Sequence, residues 1–294
     1  WFDRPRGATK RLSHNSNIPE GTEANQLQAF GSDGFTVGAD GSVNGNTETM
    51  NAFCFKAGGT GSSNTDGSIN TTYTSVNSSA GFSISTFTGT GSNATVGHGL
   101  GVAPEMIIVK KLNGSADWRV YHKDLNNTHV IYLNTTQASE SGSTVWNNTS
   151  PTNSVFSIGT QGGVNASGDT YIAYCFAPKT GYSKFGSYVG NDVADGTFVY
   201  CGFKPAFVML KKSSQTSDWL ICDSKRNTSN VVNKKLFPNT SGTEDSYDVS
   251  DFVSNGFKIR TTSGAINASG QTYIYMAFAK APLVGTNNIP ATAR

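Results

Sequence analysis

The sequence predicts an all-β protein, built as tandem β-sandwich modules of a jelly-roll-like kind that repeat about every 100 residues. The first observation behind this prediction is composition. The 294 residues include 33 Gly, 17 Phe and 11 Tyr, and only 14% are charged. Gly, Asn, Ser and Thr disfavour helix interiors, whereas aromatic and β-branched runs between such residues build packed sheets. The second observation is an internal repeat.

The back half of this repeat occurs three times. FSIGTQGGVNASGDTYIAYCFAPK, from Phe156 to Lys179, matches FKIRTTSGAINASGQTYIYMAFAK, from Phe257 to Lys280. A weaker copy, FTVGADGSVNGNTETMNAFCFKA, runs from Phe35 to Ala57. Three asparagines align, each eleven residues before a phenylalanine: Asn44 and Phe55, Asn165 and Phe176, and Asn267 and Phe278. Self-similarity of this kind is typical of a repeat architecture.

The front half occurs only twice. GVAPEMIIVKKLNGSADW ends at Trp118 and pairs with GFKPAFVMLKKSSQTSDW, which ends at Trp219. Near the start of the chain, Asp3, Arg6 and Gly7 fall where Asp223, Arg226 and Asn227 fall in the last copy. The first copy therefore lacks its Pro…Lys-Lys…Asp-Trp half. We expect residues that precede Trp1 to complete it.

The repeat divides the chain into five predicted segments. Residues 1–57 are the back half of a first unit, and residues 58–80 are a Gly/Ser/Thr-rich linker. Residues 81–180 and 181–282 form complete second and third units, and residues 283–294 form a C-terminal tail. These names are kept below.

Each complete unit is predicted to begin with an alternating strand, at residues 82–88 and 182–188. A continuous apolar run follows, Met106 to Val109 or Phe207 to Leu210, which indicates a central strand, with a proline at its entrance. A strand after the Asp-Trp pair, at 118–121 or 219–222, comes next. Asn-Ala-Ser-Gly then predicts a turn, and strands at 171–176 and 273–278 close the units.

Several function classes are disfavoured by composition and motifs. A net charge of +2 gives no electrostatic reason to expect nucleic acid or an acidic membrane as a partner. No run approaches the roughly 20 apolar residues of a membrane helix, so no membrane insertion is expected. The four cysteines form no C-x-x-C pair, so no metal or cofactor is predicted, and all are expected to be small buried residues: Cys54, Cys175, Cys201 and Cys222. A disulfide between Cys201 and Cys222 is left open.

The sequence predicts that the protein is not an enzyme. It has no G-x-S-x-G elbow, and its four histidines form no recurring metal-binding pair: His14, His98, His122 and His129. Asp117 and Asp218 recur beside a tryptophan, which favours a turn or cap role because an active site is rarely needed twice. Scattered carboxylates leave glycoside hydrolysis open, since their spatial separation is not readable.

Two features remain as candidate contacts. The twin lysines Lys110-Lys111 and Lys211-Lys212 are predicted to be solvated strand ends, with contact to an acidic glycan or a neighbouring subunit as the alternative. Recurring Trp118 and Trp219 are expected in the core. Trp1 and Trp146 have no counterpart in the other copies, so they are the candidate ligand-binding residues for a glycan or a partner protein.

The residues resemble a known family. The unit ending NASGQTYIYMAFAKAPLVGTNNIPATAR, with its Pro…Lys-Lys…Asp-Trp half and Asp223-Ser-Lys-Arg226, resembles modules near the C-termini of virion structural proteins of marine bacteriophages. RGATKRL, from Arg6 to Leu12, is similar to the same pattern. The second unit departs from it, because His122 replaces the aspartate and the region from Asn126 to Ser154 is longer.

The resemblance implies a non-enzymatic virion structural protein in the extracellular particle. We expect a tail fibre, spike or surface-decorating component that contacts the host surface. Its expected partners are other virion proteins, a host-surface glycan and further copies of itself, with a homotrimer as the base-rate expectation for fibres. The alternative from another class is a set of carbohydrate-binding modules belonging to a secreted or virion-borne polysaccharide-degrading protein.

Overall fold

A computed structural model describes residues 1–281, so the predicted tail at 283–294 lies outside the described residues. The first unit holds β1 (Lys10–Arg11), β2 (Gly21–Thr22), β3 (Leu27–Phe30), β4 (Phe35–Val37) and helix α1 (Gly41–Asn44). Residues 58–180 hold one 3-10 helix (Lys123–Leu125) and the following elements: β5 (Tyr73–Asn77), β6 (Phe82–Thr88), β7 (Ala94–Gly97), β8 (Met106–Lys111), β9 (Arg119–His122), β10 (His129–Tyr132), β11 (Glu140–Ser141), α2 (Ser143–Trp146), β12 (Val155–Ile158), α3 (Gly162–Asn165) and β13 (Thr170–Phe176).

The third unit consists of strands alone: β14 (Ser183–Val189), β15 (Phe198–Tyr200), β16 (Pro205–Lys212), β17 (Trp219–Asp223), β18 (Val232–Lys235), β19 (Asp245–Val253), β20 (Gly256–Ile259) and β21 (Thr272–Ala279). The predicted all-β class is confirmed, since every α-helix in the described chain is a single four-residue turn. The eight predicted strands are present, within one or two residues of their predicted bounds. Across residues 1–281 no helix is long and apolar enough to cross a membrane.

The second unit is built on a seven-stranded sheet of order β11-β10-β9-β8-β13-β6-β5. One face of this sheet packs against the β7–β12 pair and helix α2, in a core that contains Val96, Phe156 and Trp146. The third unit has two four-stranded sheets, β14-β21-β16-β17 and β15-β20-β19-β18, which enclose a core containing Val208, Phe257 and Tyr273.

The segment predicted as a linker contributes to the second-unit sheet. Its strand β5 pairs with β6 along five residues at the sheet edge. The glycines before it lie directly on this strand: a Cβ at Gly58 would stand 2.3 Å from the Val76 carbonyl oxygen, and one at Gly61 would stand 2.5 Å from that of Thr74. Glycine is required here for close packing. The composition of the segment alone did not distinguish such packing from a flexible linker.

The large sheets of the second and third units share a further core between them. Alternate residues of β13 point to opposite faces, so Tyr171, Ala173 and Cys175 enter the core of the second unit. Ile172, Tyr174 and Phe176 enter the shared core, as do Ile274, Met276 and Phe278 of β21. This explains why the central strands read as continuous apolar runs: both of their faces are buried.

The three aligned phenylalanines meet at this shared core, where Phe55 remains 37% exposed. The ring centroids of Phe55 and Phe176 are 5.7 Å apart, those of Phe55 and Phe278 are 5.1 Å apart, and those of Phe176 and Phe278 are 6.4 Å apart. Equivalent residues of the three repeats are therefore mutual neighbours.

Candidate functional site

The recurring tryptophans join each unit to the one before it. The Trp118 ring is fully buried, and its Nε1–H donates to the Ser13 carbonyl oxygen of the first unit at 3.0 Å. The Trp219 ring is 1% exposed, and its Nε1–H donates to the Tyr132 carbonyl oxygen of the second unit at 2.8 Å. The expectation that both belong to the core is confirmed. Each indole N–H thus donates across the boundary between units, and that of Trp118 is shared with the Ser16 carbonyl oxygen at 3.2 Å.

The first lysine of each twin pair makes a second bond across the same boundary. Lys110 Nζ donates to the Asn17 carbonyl oxygen of the first unit at 3.1 Å, and Lys211 Nζ donates to that of Thr136 of the second unit at 3.2 Å. Both side chains are almost completely buried, and burial lowers the pKa of each amine to about 8. The prediction of solvated strand ends is therefore wrong for Lys110 and Lys211, and also for Lys212, which is 7% exposed. Stacking of neighbouring units places these ends inside the protein.

Carboxylate and arginine residues form the same cluster in the first and third units, here named the brace. In the third unit, Arg226 Nε lies 2.5 Å from Asp223 Oδ2, and Arg226 Nη1 lies 3.1 Å from Glu244 Oε2. The first unit repeats this with Arg6 Nη2 at 2.5 Å from Asp3 and Nη1 at 3.1 Å from Glu20. These ion pairs hold the turn that follows the aspartate, so the charges stabilise the fold itself.

The second unit replaces the brace with uncharged groups. Its His122 stands at the aspartate position, and Leu125 stands where the arginine would be. His122 is completely buried: its Nε2–H donates to the Tyr275 carbonyl oxygen at 3.2 Å, and its Nδ1 accepts from the Asp124 amide at 3.3 Å. Because no arginine is present to pair with a carboxylate, a neutral imidazole is the cheaper group to bury here.

His122 predicts a loss of stability in acid. Burial lowers its pKa to about 4, whereas an unfolded histidine takes up its proton near pH 6.5. Below pH 6.5 the unfolded chain binds more protons, so the free energy of unfolding falls, by roughly 3 kcal/mol from this residue by pH 4. In urea titrations at pH 7 and pH 4.5, H122Q should show a smaller pH-dependent loss than the wild type. The same reduction in H129Q would contradict the assignment to His122.

The structure places the two predicted ligand-binding tryptophans apart from each other. Trp146 is 2% exposed, and its Nε1–H donates to the His129 carbonyl oxygen at 3.1 Å. Trp1 is half-buried and packs edge-on against Trp118 and Tyr174, with ring centroids 5.0 Å apart in each case. Neither position offers an open indole face for sugar stacking, so their selection as contact residues gains no support.

The cysteines are all free thiols, so the disulfide left open between Cys201 and Cys222 is not formed. Cys175, Cys201 and Cys222 are buried as expected, and burial raises the pKa of each thiol. Cys54 is exposed, which contradicts the expectation for this residue. Among residues 1–281, no group of three or more His, Cys, Asp and Glu side chains could hold a metal ion.

A cleft of about 300 Å³ between the second and third units is the candidate ligand site. The 3-10 helix supplies Lys123 and Asp124 on one side, and β14 supplies Lys184 on the other. The aromatic wall comes from Phe198 and Tyr200 of β15, which are 46% and 59% exposed. Such a mixture of exposed rings and a few polar groups suits the binding of a polar ligand with an apolar face.

Lys184 holds the aromatic wall in place. Its Nζ donates to the Tyr200 carbonyl oxygen at 2.8 Å and lies 4.9 Å from the centre of the Tyr200 ring. The β15 strand alternates, so Val199 points into the core while its two neighbours face solvent. The aromatic wall is therefore held by a backbone ladder and a cation-π contact, although the rings themselves are free to touch a ligand.

The aligned strand of the second unit is covered. There Thr95 and Gly97 of β7 occupy the positions of Phe198 and Tyr200, as the aligned pairings with Phe156 and Phe257 show. Ser68 exchanges hydrogen bonds with Thr95, and Asn64 lies against Gly97. The exposed rings are thus specific to the third unit. Sequence reasoning missed them, although the Phe-Val-Tyr alternation and its absence from the second unit were a usable signal.

These observations define an all-β repeat protein whose complete units each have a core and share a further one, use buried Trp and Lys side chains to join their neighbours, and present an aromatic cleft beside the third unit. The chain belongs to the DUF7483 family, a domain of unknown function, whose model matches residues 1–282. No curated protein and no solved structure matches the chain.

Proposed function

We propose that the protein is a non-enzymatic structural component of a bacteriophage virion, a tail fibre, spike or surface-decorating part that contacts the host. Its complete units are proposed to be tandem jelly-roll-like β-sandwich modules. One observation carries this proposal: the units are joined by a shared apolar core and by the same Trp and Lys bonds at both boundaries. A part that must transmit force and keep its shape outside the cell requires such joints.

The resemblance to phage modules adds the virion location, the other virion proteins as partners and a homotrimer as the expected assembly. Light scattering combined with negative-stain imaging of the protein measures its mass and shape. An elongated trimer supports the fibre or spike. If mass spectrometry of purified virions fails to find this polypeptide at structural stoichiometry, the proposal is wrong.

The alternative function, a carbohydrate-binding module, is supported by the cleft rather than by Trp1 or Trp146. Tyr200 and Phe198 present exposed rings beside Lys123, Asp124 and Lys184, and a sugar ring can stack on one while its hydroxyls reach the other groups. Under this alternative the chain supplies binding modules for an enzyme that degrades polysaccharide.

We expect Y200A to weaken binding of the host polysaccharide about tenfold or more, because stacked aromatic anchors dominate such contacts. Isothermal titration against bacterial and algal polysaccharides provides the measurement. Y73A is the matched control, since Tyr73 is 39% exposed on β5, away from the cleft. Equal losses in both variants, or no binding by the wild type, would count against this alternative.

A further inference from the structure

The first unit exposes residues whose counterparts in the other units are buried. Phe35 is 43% exposed, whereas the aligned Phe156 and Phe257 are 1% and 0% exposed. Met50 is 43% exposed, whereas Tyr171 and Tyr273 are fully buried. Cys54 is exposed at the position of the fully buried Cys175 and Ala277. The first unit therefore presents to solvent the face that forms the core of the other two.

The backbone of the first unit is also unpaired on this face. β13 pairs with β6 on one side and β8 on the other, and β21 pairs likewise with β14 and β16. The aligned residues 50–57 form no strand and pair with no strand of the described chain. Asn77 Nδ2 donates to the Lys56 carbonyl oxygen at 3.1 Å, and the other backbone N–H and C=O groups of residues 50–57 have no partner in the described chain. Such a run beside exposed apolar side chains is a template for added strands. Residues 50–57, together with Phe35 and Asn44, are named the first-unit edge.

Asn44 shows which structure fits against this edge. The aligned Asn165 bonds the loop after β6, donating to the Ser92 carbonyl oxygen at 2.6 Å and accepting from the Thr90 amide at 2.8 Å. Asn267 bonds the loop after β14 in the same way, through the Val193 carbonyl oxygen and the Asn191 amide. Asn44 makes neither of these bonds to a loop. Its side chain donates only to the nearby Gly38 carbonyl oxygen, at 3.0 Å.

The third unit has the matching half of a joint. Asn134 and Asn239 are equivalent, since their side chains accept from the Trp118 and Trp219 amides. In the second unit, the Tyr132 and Thr136 carbonyl oxygens accept from Trp219 and Lys211. Counted from the equivalent asparagines, the corresponding carbonyl oxygens of the third unit are those of Phe237 and Ser241. In the described chain neither counterpart accepts from a tryptophan or a lysine. The loop of the first unit lies alongside, because His14 Nδ1 contacts the Pro238 carbonyl oxygen.

We propose that the first-unit edge accepts a half-unit of the same repeat, which closes a ring of three units. Its chemistry is that of residues 81–119 and 181–220: a first strand, then a proline-led apolar strand with two lysines, then Asp-Trp. The strands flank residues 50–57, the loop bonds Asn44, and the Trp and Lys donors reach the Phe237 and Ser241 carbonyl oxygens. This inference does not depend on a virion location.

The test joins a copy of residues 181–220 to the amino side of Trp1 in the 294-residue chain. The added copy carries C201A, so that Cys54 remains the one exposed thiol of the four cysteines in the described range. We expect reaction of Cys54 with 5,5′-dithiobis(2-nitrobenzoic acid) to slow about tenfold or more, because docking buries it as Cys175 is buried. The C54A variant should lose this reaction, which identifies Cys54 as the reacting thiol.

A fusion whose added copy carries V208P is the matched control, because proline in the middle of this strand removes a ladder bond. Its Cys54 should react as in the parent chain. The proposal fails if the fusion without V208P also reacts at the parent rate. Protection of Cys54 by residues 181–220 added as a separate polypeptide would support the same docking. Protection in the parent chain at high concentration would overturn it, because a second copy of the chain would then cover the edge.

A second measurement needs no fusion. Hydrogen exchange on the monomeric 294-residue chain should show rapid exchange at residues 50–57 and protection at 171–176 and 273–278. Protection of residues 50–57 in this monomer would overturn the proposal, because their partners would then lie within the chain itself.

Discussion

D223A is expected to lower the free energy of unfolding by about 3–5 kcal/mol, the range for breaking a buried ion pair. The Asp223 carboxylate accepts from the Lys225 and Arg226 amides, both at 2.9 Å, and from Arg226 Nε at 2.5 Å. Its side chain is only 5% exposed, and that of Arg226 is 11% exposed. The substitution therefore leaves a guanidinium and two amides short of an acceptor inside the protein.

The measurement is a urea titration followed by circular dichroism. D248A is the matched control, because Asp248 is an exposed aspartate of β19 in the same unit, and it should change stability by less than about 0.5 kcal/mol. D223N keeps the side-chain volume and one acceptor oxygen, so it should fall between these two. A loss below about 1 kcal/mol in D223A would mean that water replaces the carboxylate and that the brace is not structural.

W219A should lower the free energy of unfolding by about 4–6 kcal/mol, the sum of a large cavity and an orphaned carbonyl group. The ring is 1% exposed in the shared core, and its Nε1–H is the donor to the Tyr132 carbonyl oxygen. Loss of both contributions separates the third unit from the second. We expect limited proteolysis to cleave between these units in W219A at protease concentrations that leave the wild type intact.

W219F separates the two contributions, because it keeps most of the ring and removes the donor. It should cost about 1–3 kcal/mol. W118A tests the same joint one boundary earlier, where the Trp118 Nε1–H donates to the carbonyl oxygens of Ser13 and Ser16. If W219A leaves the proteolytic pattern unchanged, the units are held together by other contacts and the joint has been misassigned.

The brace was partly readable in the sequence. Asp3, Arg6, Asp223 and Arg226 were aligned correctly, and their equivalence is confirmed by matching ion pairs. The acidic partners Glu20 and Glu244 were missed because the loop before Glu244 is longer, so that they lie 17 and 21 residues after their aspartates. Insertions hide an alignment in sequence without moving the side chain in space.

The cleft could not be predicted in the same way. Its walls come from the 3-10 helix of one unit and strands β14 and β15 of the next, which are far apart in the sequence. Trp146 was selected because it lacks a repeat counterpart, but its neighbours in the fold bury it. Absence of a counterpart is a property of the sequence, whereas exposure depends on what packs against the residue.

The sequence by itself determined the all-β class, the repeat and the eight predicted strands, because strand alternation and turn chemistry act over a few neighbouring residues. Only the tertiary structure decided that Lys110 and Lys211 are buried donors, that the Gly-rich segment packs on β5, and that Phe55, Phe176 and Phe278 meet. Those outcomes depend on how complete units stack. The stacking buries the second face of each central strand, and local pattern does not show which neighbour covers that face.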